Sequence, residues 1–124
     1  MKLLRGLVDL YLSDWKYWDN NCAQRLSDAG DYLRIIKRNH RQASKDAELV
    51  IRHLVMPNHF ECCTRPILEH IAENFGERVV VNIMGQYRPE YKAGKHKDIN
   101  RTLRAVELRK ATELAERLGL CFII

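Results

Sequence analysis

The sequence predicts an α/β fold, with a parallel sheet of about four strands and covering helices. Three observations predict it. The hydrophobic period switches repeatedly between two residues and 3.6 along the 124-residue chain. The period-two segments are short and nearly continuous in apolar residues, as in strands buried on both faces. Glycine, proline and small polar residues stand at the joints between the two patterns.

The first strand is expected over residues 8–12 (VDLYL). A polar stretch follows, with a short helix around 22–26 that Gly30 breaks. Asp31 is placed to cap a second helix, whose apolar face is Tyr32, Leu33, Ile36 and His40. Residues 48–56 (ELVIRHLVM) are mostly apolar and rich in strand formers, and Pro57 ends them. Thr64 is the expected cap of a third helix, with Pro66 in its first turn, where a missing N–H does no harm. Ile67, Leu68, Ile71, Ala72 and Phe75 form its inner stripe and Gly76 its stop. Residues 78–84 (RVVVNIM) read as the next strand, and a basic loop runs over 85–101. The last helix is expected over 105–118, with Ala111, Leu114, Ala115 and Leu118 on one face and Gly119 as its stop. Residues 121–124 (CFII) read as a final short strand.

The order β-α-α-β-α-β-α-β implies right-handed crossovers and a parallel sheet. In such sheets ligands bind at the carboxyl ends of the strands. Three segments therefore carry the chemistry: SDWKYWD (13–19), MPNHFECC (56–63) and MGQYRPEYKAGKHK (84–97).

The length fits a single domain over 1–124. A hydrophobic content of 46% argues against disorder. No apolar run approaches the ~20 residues that cross a bilayer, and Arg5 and Asp9 interrupt what would be the core of a signal peptide. A cytoplasmic location with reduced thiols is the expectation; Cys22, Cys62, Cys63 and Cys121 show no disulfide-framework spacing. The net charge of +5, from 21 basic and 16 acidic residues, allows an anionic ligand without demanding nucleic acid. No glycine-rich phosphate loop, G-x-S-x-G or H-E-x-x-H occurs.

Asp14 and Lys16 lie two residues apart, so in extended chain they point the same way and can grip a zwitterion. Arg52 interrupts an apolar strand, where it needs a partner or an anionic ligand. His59, Cys62 and Cys63 suggest a metal site completed by His53 or His70, or a thiol activated at a helix start. H-x-x-C-C lacks a second ligand pair, and small residues filling a helix start carry most of the weight, so no metal ligands are expected. Arg88, Lys92, Lys95, His96 and Lys97, with Tyr87 and Tyr91 interleaved, leave an alternative open: a non-catalytic module binding RNA or another polyanion.

Taken in order, VDLYLSDWKYWD, VIRHLVMPNHFECCTRPILEHIAENF, VNIMGQYRPEYKA and INRTLRAVELRKATELAERLGL resemble the second half of a radical S-adenosylmethionine (SAM) protein. The branch is the one similar to pyruvate formate-lyase activating enzyme. The resemblance implies a partial (β/α) barrel of the TIM type, with SAM across the carboxyl ends of the strands. It also implies a [4Fe–4S] cluster that cleaves SAM reductively to a 5′-deoxyadenosyl radical, and a protein substrate of the glycyl-radical type. Asp14 and Lys16 match a D-x-K element that holds the ribose or aminocarboxylate of SAM. Arg52 matches an arginine facing the cofactor, Val55 and Met56 the contacts to adenine, and Gln86, Tyr87 and Arg88 a polar contact to the nucleoside. The C-x-x-x-C-x-x-C loop that binds the cluster has no counterpart here, so the chain is expected to lack cluster ligands and to be inactive alone. It is expected to associate, with itself or with a missing first half of the barrel. Three smaller departures are Ser13 in place of a proline, Asn58 where glycine is common, and Arg104 where a threonine would cap the last helix, which is expected to fray.

Overall fold

A computed structural model of the chain describes residues 10–27, 32–46, 48–76, 79–87 and 96–124. The elements are β1 (Leu10–Asp14), α1 (Asn20–Ser27), α2 (Tyr32–Asp46), β2 (Glu48–Leu54), α3 (Arg65–Asn74), β3 (Val79–Met84), α4 (Ala105–Arg117) and β4 (Cys121–Ile123). A wide π turn over Phe60–Thr64 leads into α3. The order and the parallel four-strand sheet agree with the sequence.

The strands lie in the order β1-β2-β3-β4, each parallel to the next. Crossovers of one hand between consecutive neighbours put every covering helix on one face of a sheet. Burial follows that rule. Leu49, Ile51 and His53 of β2 and Val79, Val81 and Ile83 of β3 are buried. They pack in one core with Ile67, Leu68 and Ile71 of α3 and Ala111, Leu114 and Ala115 of α4. Each large apolar side chain so enclosed stabilises the fold by about 1.5–3 kcal/mol.

The alternate residues are only partly covered. Val50, Arg52, Leu54, Val80, Asn82 and Met84 are half-buried, and Leu12 and Ile123 are 57% and 54% exposed. This corrects the expectation of two covered faces: apolar runs such as VVVNIM hide an alternation that burial reveals. The pairing aligns Asp14, Arg52, Asn82 and Ile123 in one row across the open face.

Local differences have local causes. β1 runs to Asp14 rather than Leu12, because its pairing with β2 continues to the Asp14–Arg52 register. Thr64 is no helix cap: its backbone is helical and its hydroxyl is bonded to His53 instead. Asp31 lies outside the described residues. The second helix gains a partner elsewhere, as the Leu33 N–H donates to Asn20 Oδ1 at 2.8 Å.

The start of α4 is capped without a threonine. Glu107 reaches back to accept from the Arg104 N–H at 2.8 Å, supplying the reciprocal half of a capping box. Arg101 grips the same carboxylate with two N–H···O bonds of 2.9 and 2.6 Å. Gly85 permits close approach at the tip of β3: a Cβ there would lie 2.8 Å from Leu108 Cδ2 of α4.

Candidate site at the carboxyl edge of the sheet

The carboxyl ends of β1, β2 and β3 form one edge, and the loops leaving it carry the chemistry-bearing residues. Asp14 and Arg52 meet in register at the tips of neighbouring strands, where Arg52 Nε donates to Asp14 Oδ1 at 2.6 Å. Both side chains are partly exposed, at 63% and 37%. They present a carboxylate and a guanidinium side by side on the open face. Lys16, two residues past the end of β1, is half-buried, with its ammonium 5.5 Å from the Tyr17 ring centre.

Beneath this row the strand ends are fixed by a buried relay. The Trp15 N–H donates to the Arg52 carbonyl at 2.9 Å. The Trp15 carbonyl faces His53 Nδ1 at 2.8 Å, and His53 Nε2 faces the Thr64 hydroxyl at 2.8 Å. A carbonyl only accepts, so Nδ1 carries the proton and Nε2 accepts from the hydroxyl. Burial lowers His53 to a pKa of about 4, so the ring stays neutral at pH 7.

A second cluster lies in the same loops. Cys22 sits in the first turn of α1, and His59, Cys62 and Cys63 in the turn after β2. Their ligating atoms all lie within 4.8 Å of one another, and the group could hold a metal ion. Cys62 Sγ is 3.7 Å from Cys22 Sγ, 3.6 Å from Cys63 Sγ and 3.2 Å from His59 Nδ1. Cys63 Sγ is 3.9 Å from the same nitrogen. The other nitrogen of His59 is 2.7 Å from Asp98 Oδ2, in the segment between β3 and α4. Three of the four donors are buried and Cys62 is partly so.

Charge is unevenly shared within the group. Burial pushes the Cys63 thiol up, but the hydrogen bond to His59 and backbone bonds from Asp19 and Trp18 outweigh it and leave the pKa below the ordinary thiol value. Burial works against a charged His59, yet its bonds to Cys63 and Asp98 raise its pKa. Burial and the charge on Cys63 push Cys62 well above the ordinary thiol range.

This group overturns the expectation that the chain carries no candidate metal ligands. H-x-x-C-C alone offers three donors; the fourth is Cys22, forty residues earlier, brought in by the pairing of β1 with β2. Neither His53 nor His70 completes the set: His53 is committed to Trp15 and Thr64, and His70 packs edge-on to Trp15. In the sequence Asp98 counts only as an acid that weakens the polyanion reading of the basic loop; its place behind His59 carries no periodic signal and appears only in the fold.

The other residues singled out in the sequence fall as follows. Val55 and Met56 are buried just past β2, with the Val55 N–H donating to the Met84 carbonyl at 2.9 Å. Gln86 is exposed two residues beyond β3. Tyr87 is buried, and its hydroxyl donates to the Ile99 carbonyl at 2.7 Å. Arg88, Tyr91, Lys92 and Lys95 lie outside the described residues. Among the described residues no helix is long and apolar enough to cross a membrane.

A protein of Methanocaldococcus jannaschii, named only as uncharacterized protein MJ0674, is 54% identical over 123 residues. The match covers 99% of this chain and 36% of that protein, so the chain spans about a third of the relative's length. No family model matches the chain. No solved structure matches it.

Proposed function

We propose that this chain is the SAM-side half of a radical SAM-type partial barrel, of the branch similar to pyruvate formate-lyase activating enzymes. The observation that carries the reading is the Asp14–Arg52 pair, side by side on the open face at the tips of adjacent parallel strands. A carboxylate can receive an ammonium or ribose hydroxyls, and a guanidinium can receive a carboxylate bidentately. SAM carries all of these groups.

The sheet order supports the barrel. Consecutive strands with helices on one face are the arrangement of a singly wound barrel, whose inner face carries the ligand end. A full barrel takes about 250 residues, and the M. jannaschii relative is long enough to contain one around the matching third. The half-buried face with Leu12 and Ile123 is then the side that further strands would meet, from a first half-barrel or a second copy. A substrate of the glycyl-radical type and a cytoplasmic setting belong to the same reading.

The residues fit SAM by donor chemistry: Asp14, Arg52 and the exposed Gln86 lie on one edge, with Lys16 next to them. Val55 and Met56 supply a buried apolar floor behind the strand tips. Bound SAM supplies a sulfonium open to reductive cleavage. Within this chain Arg52 and Asp14 orient the ligand, and Trp15 and His53 keep the two strand tips aligned beneath it. The residues do not fit a [4Fe–4S] cube. The one gathered thiol set among the described residues has its sulfurs at contact distance, whereas a cube spreads its thiolates over separate irons. No electron-transfer step is therefore assigned to this chain.

Equilibrium dialysis tests the reading. The chain is expected to bind SAM, with affinity falling about tenfold or more in Asp14→Ala and in Arg52→Ala. Absence of binding, or binding untouched by both substitutions, contradicts it.

A further inference from the structure

We propose that Cys22, His59, Cys62 and Cys63 bind one zinc ion as a tetrahedral Cys3His site, tying together the three loops at the carboxyl edge of the sheet. This stands apart from the SAM reading and does not depend on it.

Spacing and donor chemistry together point to the kind of metal. With Zn–S near 2.3 Å and Zn–N near 2.0 Å, a tetrahedron sets its sulfurs about 3.8 Å apart and sulfur from nitrogen about 3.5 Å apart. Two of the three sulfur pairs measure 3.7 and 3.6 Å, two of the three sulfur–nitrogen pairs measure 3.2 and 3.9 Å, and all four donor atoms lie within 4.8 Å of one another. Four donors at these separations enclose a single ion. A set of three thiols and an imidazole suits zinc over hard cations, which prefer oxygen.

The surroundings fit a metal-bound histidine. Ligating histidines turn their other ring nitrogen to a carboxylate, which fixes the tautomer and raises ligand basicity. His59 faces the sulfurs through Nδ1 and Asp98 through Nε2, at 2.7 Å. Asp98 is thus a positioning residue and not a ligand. The ion would join α1, the β2–α3 turn and, through Asp98, the β3–α4 segment. Four protein ligands leave no open position, so the site is structural.

Binding deprotonates the thiols that are still protonated and releases those protons to solvent, with no redox change. The chain prepared with zinc should hold one zinc per chain. With Co2+ alone as probe it should give the intense visible bands of a tetrahedral sulfur-ligated ion. Asp98→Asn keeps all four ligands and should weaken zinc by about 10–100-fold in chelator competition. Cys22→Ser should lose the tetrahedral thiolate spectrum, and a Cys121→Ser control should keep it. An octahedral cobalt spectrum, several irons per chain, or unchanged zinc affinity in both Asp98→Asn and Cys22→Ser would overturn the proposal.

Discussion

His53 shows how much one side chain carries. It was readable in the sequence as a member of an apolar strand, but its role depends on two partners from other segments, Trp15 and Thr64. Its pKa of about 4 lies below the unfolded value of 6.5. The unfolded chain therefore binds the proton first as pH falls. That costs stability progressively between about pH 6.5 and 4, and the total is on the order of 3 kcal/mol. Denaturant titrations across that window should show this loss, and His53→Asn, though less stable at pH 7, should show a shallower one. An equal slope in both proteins would assign the acid sensitivity to other groups. The sequence marks Asp14 by its place after the first strand and Arg52 as an arginine that needs a partner inside an apolar run; that they meet each other appears only in the strand register. Cys22 was not legible, because its sequence neighbours carry no ligand pattern and only strand pairing brings it to Cys62. Asn58, expected to tolerate a positive φ, adopts one of 63°.

At the scale of elements, all four strands and the helices were legible from periodicity, and Gly76 and Gly119 end helices with φ of 57° and 73° as expected. The entrances to α3 and α4 were not. The path into α3 is widened into a π turn, a form often found at functional sites. It places His59, Cys62 and Cys63 on one side, whereas a regular helix cap at Thr64 would have left them in a loop. The start of α4 depends on Glu107, three residues inside the helix. Its carboxyl is held at a pKa of about 2 by hydrogen bonds, that to Arg101 foremost. The same carboxylate accepts from the Asn58 N–H at 3.3 Å, which links α4 to the turn after β2. Glu107→Ala should destabilise the protein by about 1 kcal/mol through the lost cap. It should also speed amide exchange in the first turn of α4. Unchanged exchange there would remove Glu107 from this role.

For the whole molecule, the parallel sheet followed from the order of elements, and the strand-end rule pointed to the edge where Asp14, Arg52, Gln86 and the Cys3His group all lie. What the sequence hid was the one-sided burial. Apolar residues occupy both faces of β2 and β3, and only the consecutive strand order shows that the helices share one of them. That open face is where the proposed ligand and the remaining strands would meet. The most direct measurement is chemical-shift mapping of backbone amides during titration with SAM. The account predicts that the shifts concentrate at Asp14, Trp15, Lys16, Arg52, Val55 and Gln86, at the carboxyl ends of the strands. Shifts confined to the opposite ends, around Leu10, Glu48 and Val79, or none at saturating SAM, would contradict it.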